Sequence, residues 1–151
     1  LILLNTLIFS LMACNSTSKT ADEKSTDAPQ DSVVMADSHT ASTSLDYFGV
    51  YEGTLPCADC EGIKTKVTLN KDTTYVLETS YLKNGKDMLP ETHTGKFIWD
   101  DKGTTITLDG IKGAKYSYFV GEKQLFTLDQ NGERIDSSLK DHYILKQVEV
   151  F

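Results

Sequence analysis

Cys57 and Cys60 stand with two residues between them in the string Leu55-Pro56-Cys57-Ala58-Asp59-Cys60-Glu61-Gly62-Ile63. A Cys-x-x-Cys spacing supports three chemistries. The pair can close a disulfide, where so short a loop yields roughly 2 kcal/mol of chain-entropy stabilisation. It can offer two thiolates to a soft ion, and Cu(I) prefers sulfur and accepts low coordination numbers. Asp59 and Glu61 add negative potential that favours a cation. The pair can also run thiol–disulfide exchange, which needs a thiolate stabilised by a positive neighbour or a helix N-terminus. The two acids oppose that third use, Pro56 places Cys57 at a strand end, and no thioredoxin-like βαβ pattern surrounds the motif. A closed zinc site needs four ligands. His93, His142 and Met88 are the residues left to complete one, and nothing in the sequence places them beside the loop.

The third cysteine, Cys14, sits in a different context. Leu1 to Met12 is a nearly continuous apolar run, LILLNTLIFSLM. A membrane-spanning helix needs about 20 residues, so this run is too short to cross. It fits the apolar core of a signal peptide. The basic residues that normally precede such a core are missing before Leu1, which implies that the natural chain starts upstream. Leu11-Met12-Ala13-Cys14 resembles the lipobox of bacterial lipoproteins. The resemblance implies that residues 1–13 are removed and that Cys14 carries the acyl chains that hold the protein to a membrane. Asn15 follows, rather than an Asp that would favour inner-membrane retention, so an outer-membrane location is expected. The compartment is then oxidising, which suits a structural disulfide at Cys57 and Cys60.

Positioning of the pair falls to the rest of the chain, whose 151 residues suggest one domain. Residues 14–44 are rich in Ser, Thr, Asp and Ala and hold no aromatic residue, so they read as a disordered tether. His39 within it is expected to bind nothing. From Leu45 to Phe151 the pattern becomes one of short alternating runs. Ile63, Thr65, Val67 and Leu69 share one face, as do Tyr75, Leu77, Thr79 and Tyr81. Further runs cover 47–55, 94–99, 104–108, 115–120, 124–128 and 142–146. Turn residues separate them: Asn70-Lys71-Asp72, Asn84-Gly85, Asp100 to Gly103, Asp109-Gly110 and Asn131-Gly132. One short helical turn is expected within 134–141. About eight strands at near-regular spacing predict an all-β fold, an antiparallel up-and-down, lipocalin-like barrel, whose closure removes both sheet edges. Eight strands leave an interior that side chains can fill or that can hold one small ligand.

The net charge is −7 and no Lys/Arg cluster appears, which excludes nucleic acid as a partner. No Ser/His/Asp arrangement, paired-carboxylate motif or phosphate-binding glycine loop is present. A non-enzymatic monomer is expected.

The stretch Tyr51 to Ile63 closely resembles the start of the N-terminal domain of the NlpE family of envelope lipoproteins. The likeness continues through Leu69 to Tyr75, Gly95 to Trp99, Tyr116 to Leu128 and Tyr143 to Lys146, and so covers nearly all of 47–146. It implies a bacterial-lipocalin barrel and a binding or sensing role in copper homeostasis or the envelope stress response. It also links Cys57 and Cys60 to copper and suggests an envelope protein as partner. Larger members carry a second, OB-like domain with another cysteine pair. Stress signalling tied to that domain is not carried over. Two other roles remain open: a carrier of a lipid or small apolar ligand, or a tethered structural adaptor. Large side chains at Tyr75, Leu77, Phe97 and Trp99 closing the interior would exclude carriage; an open cavity would favour it.

Overall fold

A computed structural model describes residues 39–151; the apolar leader, Cys14 and the tether up to Ser38 lie outside the described residues. Nine strands follow one another: β1 (Gly49–Leu55), β2 (Gly62–Leu69), β3 (Thr74–Lys83), β4 (Lys86–Asp87), β5 (Glu91–Trp99), β6 (Thr105–Leu108), β7 (Tyr116–Gly121), β8 (Gln124–Thr127) and β9 (Ile144–Glu149). All pairings between them are antiparallel. β1 lies between β2 and β9, β8 to β5 continue the sheet, and β5 returns to β3, which pairs with β2 and closes the ring. β4 is a two-residue spur on the end of β3. Eight strands therefore form the expected closed barrel.

The alternation read in the sequence is what buries the core. On β2, Thr65, Val67 and Leu69 point inward while Lys64 is exposed. On β3, Tyr75, Leu77 and Thr79 do the same. Tyr51, Phe97, Ile106, Tyr118, Leu125 and Leu145 complete the interior, with Trp99 packed against it. The inside of the barrel is a core of large side chains, which leaves no room there for ligand carriage.

The meander gives the barrel two unlike ends. At one end lie the longer connections β1–β2, β3–β5, β6–β7 and β8–β9; this is the loop end. At the other lie the tight β2–β3, β5–β6 and β7–β8 turns. The chain enters the barrel at this turn end. Ala41–Ser44 form one helical turn, and Ser42 N–H donates to the Gly103 carbonyl at 3.0 Å. Ala41, Leu45 and Tyr47 pack on the core, with Tyr47 edge-on to Trp99 at 5.1 Å between centroids. The folded region thus starts before the composition shift at Leu45, where the tether was expected to end. Ala41 and Leu45, four residues apart, cover the open end of the barrel, and a Cβ on Gly103 would meet Ser42 Oγ at 2.7 Å. The last strand begins at Ile144 rather than at His142, because Lys140–Tyr143 form a 3-10 turn. That turn supplies the short helical element expected slightly earlier in the chain.

Carboxylates hold the reversals. Asp100 accepts the N–H groups of Thr104 at 2.7 Å and Thr105 at 2.9 Å. Asp72 accepts the Thr74 hydroxyl at 2.6 Å and its N–H at 3.1 Å. Asp129 accepts from Asn131 and Glu133 at 2.9 and 2.8 Å. At Asp72 the Thr74 hydroxyl bond, and at Asp129 the Glu133 N–H, lower the pKa most. At Asp100 partial desolvation raises it, but the bonds from Thr105 and Thr104 outweigh that and leave it lowered. A carboxylate whose folded pKa lies below its unfolded value contributes stability above the unfolded value of about 3.9, lost as pH falls through the folded one. The melting temperature is therefore expected to hold from neutral pH down to about pH 5 and then to fall steadily toward pH 2. A scan of melting temperature against pH checks this; a flat profile below pH 4 would contradict it.

Candidate functional site

At the loop end, β1 stops at Leu55 and β2 starts at Gly62. The loop between them carries Cys57 and Cys60, joined by a disulfide with their Cα atoms 5.3 Å apart. Pro56 ends the strand, since it has no N–H for the ladder. Gly62 lets the chain re-enter the sheet tightly: a Cβ there would lie 2.6 Å from Thr54 Cγ2. Cys60 Sγ lies 3.3 Å from the Gly62 carbonyl oxygen. In the disulfide this sulfur has no hydrogen to give. The acids nearby disfavour a nucleophilic role for Cys60.

The two acids of the loop separate in function. Glu61 is tied to the neighbouring hairpin. Its N–H donates to the Leu82 carbonyl at 3.0 Å, and both carboxylate oxygens stand 3.2 Å from Gly85 N. Asn84 and Gly85 turn with φ of 55° and 67°, the two positive values that a tight hairpin demands. Glu61 thus braces the Cys loop against the β3–β4 turn as well as adding charge. Asp59 is exposed at the tip of the loop, beside Lys83 and Asn84.

The histidines go to different places. The 3-10 turn brings exposed His142 and Leu139 to a groove of about 310 Å3 that Leu55, Pro56, Cys57 and Glu61 also line. His142 was expected to begin a strand, and its proximity to Cys57 is a product of strand order that local pattern does not encode. His93 sits elsewhere. It lies on β5 directly opposite fully buried Leu77, so it shares the inward face of the sheet near the barrel mouth. Its Nε2 stands 3.0 Å from Glu91 Oε1. Met88, half exposed, donates its N–H to the Tyr81 carbonyl at 2.8 Å. Neither His93 nor Met88 lines the groove at Cys57. Among the described residues no three His, Cys, Asp or Glu side chains gather in a metal-binding arrangement. The donor set, two sulfurs on one loop, fits a soft ion of low coordination number and does not fit closed tetrahedral zinc.

This architecture recurs in known proteins. The chain is 37% identical over 87 residues to the lipoprotein NlpE of Escherichia coli K12, a match that spans 58% of this chain and 36% of that protein. It is 34% identical over 87 residues to the 17 kDa lipoprotein of Treponema pallidum, spanning 57% of this chain and 54% of that one. The chain thus spans about a third to a half of the length of these curated relatives. The crystal structure of a candidate lipoprotein from Shewanella oneidensis superposes with a TM-score of 0.65 at 46% identity, covering 73% of this chain and 96% of that one. The family model for the NlpE N-terminal domain matches residues 51–138, a span that begins on β1, includes the Cys57–Cys60 loop and runs into the β8–β9 connection. With more than half of its length so matched, the chain belongs to the NlpE N-terminal domain family.

Proposed function

We propose that this protein is an envelope lipoprotein, held at the outer membrane through a lipidated Cys14, whose barrel presents Cys57 and Cys60 to capture Cu(I) in copper homeostasis or envelope-stress sensing. It works by binding and not by turnover. The observation that carries the reading is the placing of both sulfurs on one accessible loop at the loop end, opposite the end where the chain enters. The reduced pair would supply two thiolates, with Asp59 at the tip adding a field that favours a cation. An oxidising compartment favours the disulfide, and metal capture requires its two-electron reduction by an external dithiol, which leaves as its own disulfide.

The test is a Cu(I) titration, against a competing chelator, of protein reduced with a phosphine under nitrogen. One equivalent is expected to bind to the parent, and none of comparable affinity to a Cys57→Ser/Cys60→Ser variant. Equal binding by both would rule out the thiolate site.

The adaptor reading has its own support. Leu89 is 92% exposed, and Met88, Tyr81 and Leu139 are each about half exposed around the same loop end. Exposed apolar side chains grouped at one end suit contact with another envelope protein. A pull-down in which Leu89→Ser abolishes capture while Cu(I) binding persists would separate the two roles.

A further inference from the structure

We propose that a cleft beside the β8–β9 connection binds a small molecule carrying a carboxylate on an apolar body. The cleft measures about 330 Å3, and Phe126, Ile135, Tyr143 and Ile144 give it an apolar and aromatic floor. Specific small-molecule sites begin at roughly 300 Å3 and combine such a floor with a few placed polar groups. A placed cation is present.

It is the exposed Arg134 guanidinium, which lies 3.6 Å from the centroid of the Phe126 ring and 4.5 Å from that of Phe119. The two rings stack edge to face, 6.0 Å apart, on the outer wall of β7 and β8. They fix the plane of the guanidinium. No hydrogen bond or ion pair engages it among the described residues. A planar fork held in one orientation, with its donors free, matches a carboxylate in two-point contact. The backbone that delivers Arg134 is itself braced, since Leu128 bridges to Arg134 across the turn that Asp129 closes.

β8 pairs with β9 only as far as Phe126 opposite Ile144, and the cleft opens just beyond, where the two strands part.

Asp136, Lys140 and Asp141 are exposed at the cleft and leave its charge balanced against Arg134. Net charge therefore does not select the ligand. The fixed fork and the aromatic floor do.

The experiment is an amide NMR titration of the full chain with three probes: phenylacetate, acetate and phenylethylamine. Phenylacetate is expected to move the amides of Thr127, Arg134 and Tyr143 saturably, while acetate, lacking the ring, and phenylethylamine, lacking the carboxylate, do not at the same concentration. Arg134→Lys keeps the charge and removes the fork, and should weaken phenylacetate about tenfold. A Cys57→Ser/Cys60→Ser background should leave binding unchanged, so that this site stands or falls apart from the metal reading. Absence of saturable shifts, equal response to the amine, or parent-like binding by Arg134→Lys would overturn the proposal.

Discussion

Replacing Gly49 with alanine is expected to destabilise the barrel by about 3 kcal/mol or more, the sum of backbone strain and a steric overlap that nothing nearby can relieve. Gly49 opens β1 with φ of 141°, a conformation that residues with a side chain rarely adopt. A Cβ there would run into the Glu149 carbonyl oxygen of β9, a backbone atom that cannot rotate aside. The geometry has a cause. The β1–β9 register shifts between Val50 and Tyr51, a bulge that lets β1 pair with two neighbours while the chain bends in from the turn end. Gln147 fastens the same corner, since its Nε2 donates to the Asp46 carbonyl at 3.0 Å and the Phe48 carbonyl at 3.2 Å. Gly110→Ala is the control: its φ of 88° is also positive, but nothing lies within 4 Å of its Cβ position. Strain alone should cost it about 1–2 kcal/mol. Urea midpoints at unchanged slope measure both. Equal losses at the two positions would show that the β9 contact is not the cause.

Legibility in the sequence followed burial. β2 and β3 were plain because one face of each meets the core along most of its length, so apolar and polar residues alternate without interruption. β5 was read from Thr94 but starts at Glu91. Its inward positions there are Glu91 and His93, near the mouth of the barrel where water reaches, and polar residues on both faces hide the period of two. The helical turn at Ala41–Ser44 was masked in the same way by a composition of Ala, Ser and Thr that resembles the tether before it. At the candidate site, the Cys-x-x-Cys loop was legible because its residues are contiguous. The bond from Glu61 to Gly85 and the placing of His142 beside Cys57 were not, since each depends on which strands become neighbours when the sheet closes. The stacking of Arg134 on Phe119 and Phe126 is of the same kind: the two rings meet through β7–β8 register, and only then do they make a platform.

Leu77→Ala is expected to cost 2–5 kcal/mol, on the order seen for large-to-small changes in cores that cannot collapse. Leu77 lies midway along β3, fully buried, with Val67 opposite it on β2 and His93 opposite on β5. In a two-layer sandwich, the sheets can draw together over a lost side chain. In a closed barrel each strand is held on both sides by ladder hydrogen bonds at a spacing of about 4.8 Å, so the walls cannot close over the gap. The cost should therefore approach that of an unrelieved cavity. Ile98→Ala removes a comparable side chain from the outer face of β5, where Ile98 is 60% exposed, and should shift stability by less than about 0.5 kcal/mol. Urea unfolding of both variants distinguishes the faces, and a larger loss at Ile98 would mean that the inward and outward assignments are reversed. The contrast also bears on function. If the interior sets the stability of the barrel, it cannot also serve as a vacant ligand chamber. The chemistry of the molecule is then left to its loop end and outer wall, where the Cys57–Cys60 pair and the Arg134 cleft lie.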